Sequence, residues 1–210
     1  MTGAKPKLLV MTGPTGSGKT SLALNVAKRL NGAIINADSV AFYEGFDIGS
    51  AKPTGEERSA VPHFLFDVAK PDENFDVAAY VALARPIARE ITEKGMVPLV
   101  VGGSGLYLRS LVRGLFAGPG RDEAYREELR KTEAEGISLH GLLKKLDPRA
   151  ASRLHEKDRQ RIVRALEVLN AEGTSIVDFQ EGHGLSDDPF ETLFLVTAPD
   201  PRTLRENQEI

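Results

Sequence analysis

The sequence feature that most restricts the fold is the octapeptide GPTGSGKT at residues 13–20. It follows a short apolar run, KLLVMT, and precedes a stretch in which Leu22, Val26 and Leu30 would share one face of a helix. Strand, glycine-rich loop and helix in this order are the context in which the pattern G-x-x-x-x-G-K-[ST] holds phosphate. Glycines let the backbone N–H groups turn inward around an anion, and the positive end of the helix adds to them. The sequence therefore predicts a phosphate or diphosphate site in an α/β domain.

The whole loop is a candidate phosphate-binding site, comprising Gly13, Pro14, Thr15, Gly16, Ser17, Gly18, Lys19 and Thr20. Lys19 would neutralise phosphate charge, and the Thr20 hydroxyl would ligate Mg²⁺. The chain has no cysteine and only four scattered histidines, so a metal ion would be held by oxygen ligands. The loop alone does not distinguish a nucleoside triphosphate from another diphosphate.

Further apolar runs predict the rest of the sheet. AIINA at residues 33–37, VPLVV at residues 97–101 and ETLFLVT at residues 191–197 are expected to be buried strands, with a long amphipathic helix ahead of the second. Apolar strands alternating with helices indicate a parallel sheet covered by helices on both faces. We therefore expect a P-loop NTPase-like α/β fold with a helical insertion.

The charged, helix-forming stretch that follows the third strand sets the domain organisation. We expect a P-loop α/β core at residues 1–120, a helical insertion at residues 121–185, and a return to the core sheet at residues 186–210. No stretch approaches the roughly 18 consecutive apolar residues of a membrane helix. We expect a cytoplasmic monomer with no membrane partner.

Asp38 and Ser39 follow the second predicted strand, at the sheet edge where ligands of open α/β folds bind. A carboxylate there could act as a general base beside the bound phosphates. Alternatively, Asp38 could cap a turn.

The third predicted strand ends in Gly102, Gly103 and Ser104, whereas many P-loop kinases place a Mg²⁺-binding aspartate after a neighbouring strand. Ser104 could donate its hydroxyl to a ligand or cap the next helix, and the two roles are compatible.

Residues 144–164 contain eight Lys or Arg and three Asp or Glu, in a chain whose net charge is -3. Such a stretch is typical of a local nucleic-acid footprint, or of an ordinary solvated helix face. Within it, Asp158 is the expected N-cap of a helix that turns Ile162 and Leu166 toward the core.

The motifs GPTGSGKT, INADS, FDIGSAKPTGEERSAVPH, VPLVVGGSGLYLRSL and DRQRIVRALEV, in this order, resemble the tRNA dimethylallyltransferase (tRNA isopentenyltransferase) family over essentially the whole chain. The resemblance implies transfer of a dimethylallyl group from dimethylallyl diphosphate to N6 of the adenosine just 3′ of the anticodon, within a tRNA anticodon stem-loop, assisted by Mg²⁺. The P-loop would then hold the diphosphate leaving group, so no Walker-B carboxylate would be needed.

The resemblance also implies roles for individual residues. Asp38 matches the general base, and Ser104 stands where the family has a Thr that binds the oxygen bridging the prenyl group and the diphosphate. The matching tRNA contacts are Asp38, Ser39, Val40, Ala41, Ser104, Arg126, Gln160, Arg161, Ile162, Val163 and Arg164.

The chain departs from the family at three places. Ala41 replaces a Gln that helps to hold the tRNA, Glu44 stands where an Arg is usual, and the family continues past the helix start at Asp200 and Pro201. The last departure implies either a fragment of a longer protein or a degenerate or split enzyme. Three alternatives to an active family member stay open: a prenyltransferase acting on free adenylate, a small-molecule kinase, and a shortened family member that binds without catalysis.

Overall fold

The computed structural model describes residues 5–47, 52–115, 118–183, 188–200, 202, 204 and 205. Residues 48–51, within the predicted DIGSAKP motif, and Pro201 lie outside the described residues. The chain forms two compact units, a sheet unit of Met1–Gly114 with Asp187–Ile210 and a helical unit of Leu115–Ser186.

The sheet unit is a parallel α/β structure. Its described elements are β1 (Lys7–Thr12), α1 (Lys19–Leu30), β2 (Gly32–Asn36), α2 (Gly55–Ala60), β3 (His63–Phe64), α3 (Val77–Glu93), β4 (Val97–Val101), α4 (Gly105–Arg113) and β5 (Glu191–Val196). The strands lie in the order β3-β2-β4-β1-β5, and all pairs are parallel. The predicted P-loop NTPase-like α/β fold is confirmed.

Alternate residues of the central strands fill two separate cores. In β1, Leu8 and Val10 join the apolar cluster that includes side chains of α3 and α4, whereas Leu9 and Met11 join the cluster that includes side chains of α1. This alternation follows from the pleat of a strand, whose successive side chains point to opposite faces. Both faces of the sheet are therefore covered.

The predicted apolar face of α1 is corrected by the structure. Leu22 and Leu30 are largely exposed, and the fully buried residues of this helix are Ala23 and Ala27. The helix lies so close to the sheet that a Cβ on Gly32 would be 3.2 Å from the Cα of Ala27. Because only small side chains fit in this gap, Leu22 and Leu30 lie outside it, while Val26 of the predicted face packs half-buried against the apolar cluster on this side of the sheet.

The prediction that β5 is a buried strand is also corrected. Within the part of the chain that the structure describes, β5 is an edge strand that pairs only with β1 and leaves Leu193, Phe194 and Val196 exposed. A hydrophobic run does not distinguish an edge strand from a central one, because position in the sheet depends on distant residues.

The helical unit packs around its own apolar core. Its described elements are α5 (Glu123–Ala134), α6 (Leu139–Leu146), α7 (Pro148–Ala151), α8 (Arg159–Glu172) and α9 (Ile176–His183). The predicted N-cap of α8 is observed, since Asp158 Oδ1 accepts the Arg161 backbone N–H at 3.3 Å. Among the residues that the structure describes, no helix is both long and apolar enough to span a bilayer.

Candidate functional site

A cavity of about 480 Å³ lies in the sheet unit at the carboxyl ends of its central strands. Its walls come from the loop between β1 and α1, the ends of β2 and β4, and the segment around β3. Parallel strands bring these ends to one edge of the sheet, which is where open α/β folds bind ligands. The predicted site residues that line it are Thr15, Gly16, Ser17, Gly18, Lys19, Thr20, Asp38, Val40 and Ala41. Gly13, Pro14, Ser39 and Ser104 are not among its lining residues.

The P-loop has the backbone of an anion cradle. Gly16 and Gly18 adopt left-handed φ values of 79° and 74°, a conformation that glycine reaches without steric cost. α1 begins directly behind them at Lys19, whose Nζ lies 3.3 Å from the Pro14 carbonyl oxygen. A helix N-terminus, a turned-in backbone and one cation thus converge at the same end of the cavity, an arrangement suited to a phosphate or diphosphate.

Asp38 stands at the end of β2 in a turn held by its neighbours. Its Oδ1 accepts the Val40 backbone N–H at 2.9 Å, so the turn-capping role considered from the sequence is observed. Its Oδ2 forms no hydrogen bond with the described residues, and the side chain lines the cavity. The carboxylate is therefore anchored by one oxygen while the other is available for a ligand.

Asn36 is a site residue that the sequence analysis missed. Its side chain is buried and makes three hydrogen bonds: Nδ2 donates to the Asp38 carbonyl at 3.1 Å and to the Leu65 carbonyl at 3.0 Å, and Oδ1 accepts the Asp38 backbone N–H at 2.9 Å. It fixes the backbone of Asp38 and ties it to the segment after β3. The sequence feature that could have predicted this role is the Asn36 amide within the otherwise apolar run AIINA, because a buried amide needs hydrogen-bond partners.

The loop after β4 approaches β2 closely. A Cβ on Gly102 would lie 2.3 Å from the main chain of Ala37, so only glycine fits between these two strand ends. Ser104 occupies the N-cap position of α4, but its side chain makes no capping hydrogen bond. The capping role considered for this hydroxyl is therefore not seen, and the half-buried Ser104 keeps its hydroxyl for another partner.

His63, to which the sequence assigned no separate role, lines the same cavity. Its Nδ1 lies 2.7 Å from the Val61 carbonyl oxygen, which requires a hydrogen on Nδ1 and leaves Nε2 as the acceptor of a neutral ring. Burial, aided by the nearby charge of Arg58, lowers the pKa of His63. The imidazole is therefore neutral at pH 7, and it adds no cation to the phosphate site.

In the helical unit, two of the predicted tRNA-contacting arginines converge on one buried carboxylate. Arg126 donates from Nε and Nη2 to Glu167 at 2.8 and 3.1 Å, and Arg164 donates from Nη1 to Glu167 at 2.9 Å. The Glu167 side chain has 0% exposure. Burial works to raise the pKa of Glu167, but bonds from Arg126, the Asp122 backbone N–H and Arg164 outweigh it and lower the pKa to about 2.

Three predicted tRNA contacts have buried side chains. Ile162 and Val163 are 1% and 6% exposed and belong to the core of the helical unit. Ala41, in the sheet unit, is 2% exposed. The side chains of Ile162 and Val163 pack inside the unit because α8 directs this stripe toward α5 and α6, and contact of these two residues with tRNA stays a prediction. Gln160 and Arg161 are exposed on the same helix.

The positive stretch at residues 144–164 is offset by acidic side chains of the same unit. Arg149 pairs with Asp178 and Glu181, while other pairs in the unit include Arg159 with Glu133. Over residues 115–186 the chain has twelve Lys or Arg and thirteen Asp or Glu. Arg161 differs, since its side chain is 76% exposed and its nearest acidic partner is its own helix cap at 3.2 Å.

Comparison with known proteins places these features in a family. Residues 41–209 match the model of the family described as IPP transferase. The chain is 46% identical over 200 residues to tRNA dimethylallyltransferase 1 of Trichlorobacter lovleyi, covering 94% of this chain and 66% of that relative. It is also 46% identical over 195 residues to tRNA dimethylallyltransferase of Geobacter sulfurreducens, covering 92% of this chain and 63% of that relative.

Two solved structures are similar. The full-length tRNA isopentenylpyrophosphate transferase from Bacillus halodurans is 38% identical, with a TM-score of 0.61, over 97% of this chain and 63% of that chain. A eukaryotic dimethylallyltransferase described as acting on tRNA is 26% identical, with a TM-score of 0.76, over 97% of this chain and 53% of that chain. The chain thus spans less than two thirds of the length of either solved relative.

Proposed function

The chain belongs to the IPP transferase family, and on that premise we propose that it transfers a dimethylallyl group from dimethylallyl diphosphate to N6 of the adenosine 3′-adjacent to the anticodon in tRNA. The observation that carries this proposal is the composition of one cavity, in which a P-loop and the carboxylate of Asp38 share about 480 Å³ with apolar side chains. This composition supports binding of a diphosphate and an allylic chain beside a proton acceptor. β4 leads into Gly102 and Gly103, without the aspartate expected of many kinases.

The proposed reaction uses the residues at the two sides of the cavity. The backbone of the P-loop and Lys19 hold the diphosphate and stabilise the charge that accumulates on it as the carbon–oxygen bond to the prenyl group breaks. N6 of the adenosine forms the new bond to the same carbon and loses a proton. The free Oδ2 of Asp38 accepts that proton, while Oδ1 keeps its bond to Val40 and holds the carboxylate in place.

The donor set of the cavity fits Mg²⁺ bound through its substrate. Thr20 is half-buried and lines the cavity at the start of α1, where its hydroxyl would hold the ion together with diphosphate oxygens. Mg²⁺ in phosphate sites takes few protein ligands, and the described residues contain no cluster of three or more His, Asp or Glu side chains suited to a metal. When bound, the ion would neutralise charge on the leaving diphosphate.

The direct test is transfer of label to nucleic acid. The purified chain is incubated with Mg²⁺, radiolabelled dimethylallyl diphosphate and unmodified tRNA, and label on the tRNA is counted. We expect transfer by the unaltered chain and a loss with Lys19→Ala, whose diphosphate affinity should fall about 10- to 100-fold because a charged hydrogen bond is removed. ATP turnover in place of prenyl transfer would contradict the proposal and favour a kinase.

We also propose that the helical unit contacts the tRNA backbone through the exposed Gln160 and Arg161 at the start of α8. Arg161→Ala should weaken binding of an unmodified anticodon stem-loop and lower the slope of log K against log salt by about 1. Arg149→Ala is the matched control, because this guanidinium is already paired with Asp178 and Glu181. Fluorescence anisotropy at several salt concentrations measures both; equal effects of the two variants would refute the assignment of Arg161.

A further inference from the structure

Two residues after β3 adopt a backbone conformation that is rarely used by residues other than glycine. Leu65 has φ 62° and Asp67 has φ 54°, and Phe66 lies between them. The left-handed region is sterically unfavourable for a bulky residue such as Leu65, whereas aspartate adopts it more readily. Such a conformation persists only where the surroundings over-determine it, and residues strained in this way cluster at active and ligand-binding sites.

Contacts from distant parts of the sheet unit hold this turn on both sides of Phe66. Asn36, which also fixes Asp38, donates to the Leu65 carbonyl at 3.0 Å. Asp67 accepts from Lys52 Nζ at 2.6 Å and from Arg58 Nη2 at 2.9 Å. The turn is therefore attached to the site on one side and to an ion-pair network on the other.

The network is charged although Lys52 is almost fully buried. The Lys52 side chain is 4% exposed, and its Nζ also donates to Asp47 and to the Tyr43 carbonyl. Burial works to lower the pKa of Lys52, but the bonds to Asp67 and Asp47 prevail and raise it. Burial works to raise the pKa of Asp67, but Lys52 and Arg58 prevail and lower it. Both groups are ionised at neutral pH and hold the turn firmly.

The result of this strain is a fixed aromatic ring in the cavity. Phe66 lines the cavity and packs against the apolar cluster on the α1 face of the sheet. Its ring meets the His63 ring edge-on, with centroids 5.7 Å apart, and Arg58 Cζ lies 5.2 Å from its centroid. With neighbours on several sides, the ring has little freedom to move aside for a larger ligand.

Phe66 follows a strand that lies three places in the sheet from the strand that leads into the P-loop. The P-loop follows β1, and Phe66 comes two residues after β3; β4 and β2 lie between these strands. Three strand spacings of about 4.8 Å put roughly 14 Å between β1 and β3. A diphosphate in the P-loop would thus direct its organic chain toward the Phe66 side.

We propose that the Phe66 ring closes the apolar end of the cavity and sets the length of the allylic chain that it accepts. This assignment rests on the proposed function of the cavity as an allylic diphosphate site. The strained turn and its ion pairs make Phe66 a rigid wall, so that a five-carbon chain fits and a ten-carbon chain meets the ring. Phe66 is a specificity-determining residue, and the chemistry remains with Asp38.

The test is a comparison of binding constants. Inorganic diphosphate, dimethylallyl diphosphate and geranyl diphosphate are titrated calorimetrically, with Mg²⁺, into the unaltered chain and into Phe66→Ala and Phe66→Leu. The unaltered chain should bind dimethylallyl diphosphate most tightly. In Phe66→Ala the ratio of the geranyl to the dimethylallyl dissociation constant should fall at least about tenfold, because the opened space can bury the extra carbons.

Phe66→Leu should shift the ratio in the same direction by less, and it retains more of the packing if Phe66→Ala does not fold. Leu83→Ala, which removes an exposed apolar side chain of α3, is the control and should leave the ratio unchanged. If dimethylallyl diphosphate binds more tightly than inorganic diphosphate but both Phe66 variants leave the ratio of dissociation constants unchanged, Phe66 does not limit the chain length. The proposed function would stand in that case. Equal binding of all three ligands by the unaltered chain overturns both.

Discussion

Replacing Asp38 by Asn should lower the rate of prenyl transfer about 10²- to 10⁴-fold, which is the usual contribution of a general base. The Asn side-chain oxygen can still accept the Val40 N–H, so the turn seen at 2.9 Å is preserved. What is lost is the ability of the second oxygen to take the proton from N6. The measurement is the single-turnover rate of label transfer from dimethylallyl diphosphate to unmodified tRNA.

A lower transfer rate of Asp38→Asn indicates the loss of a general base only if the variant still binds dimethylallyl diphosphate. The dissociation constant for dimethylallyl diphosphate should change less than about threefold, since Lys19 and the P-loop backbone are untouched. Asp72→Asn removes a charge from an exposed position of the sheet unit outside the cavity and should leave the rate unaltered. If Asp38→Asn kept more than about a tenth of the rate, the proton would have another acceptor.

Replacing Glu167 by Ala should lower the free energy of unfolding of the helical unit by about 3–5 kcal/mol, the cost of breaking a buried ion pair from one side. Arg126 and Arg164 would face each other without the carboxylate that joins them, and the Asp122 N–H would lose its acceptor. Amide hydrogen exchange of α5 and α8 reports the loss locally. This measurement is valid whether or not the two units unfold together.

The same carboxylate gives the helical unit a pH dependence of defined sign. The pKa of Glu167 is lowered from 4.5 to about 2 in the folded chain. The contribution of ionised Glu167 to the free energy of unfolding of the helical unit is therefore complete above pH about 5. It is lost as the pH falls toward 2, a change of about 3 kcal/mol. Protection of α8 measured between pH 5 and pH 2.5 should fall steeply in the unaltered chain and less in Glu167→Gln, which cannot ionise.

Glu133→Gln is the matched control for both measurements. Glu133 pairs with Arg159 on the surface of the same unit, with side chains 43% and 52% exposed. Solvated pairs of this kind contribute about 0–1 kcal/mol, so its effect should be several times smaller. Equal effects of the Glu133 and Glu167 variants would show that the buried Glu167 carboxylate stabilises the unit no more than a surface ion pair does.

The parts of the site that could be predicted from the sequence are those formed by residues that are adjacent in the chain. The P-loop is a local motif whose glycines, lysine and following helix need no other part of the chain to be recognised. Asp38 could be placed because it follows an apolar strand directly, and strand ends meet at one edge of a parallel sheet. The Asp158 cap follows from the same kind of local rule and is observed.

Local sequence rules do not predict contacts between residues that are far apart in the chain. Asn36 reaches Leu65 across 29 residues, and Arg126 reaches Glu167 across 41. A charge count along residues 144–164 gives a positive segment, but the acids that offset it lie on α5 and α9 and become neighbours only on folding. The same holds for Ile162 and Val163, which motif matching grouped with the exposed Arg161 and packing placed in the core.

By itself, the sequence determined the α/β class, the phosphate cradle and the carboxylate beside it, because each depends on the order of residues within one short segment. Only the tertiary structure decided that β5 is an edge strand, that Asn36 clamps the backbone of Asp38, and that Phe66 is fixed in the cavity. Each of these depends on which distant segments meet, and that outcome is set by the packing of the whole unit.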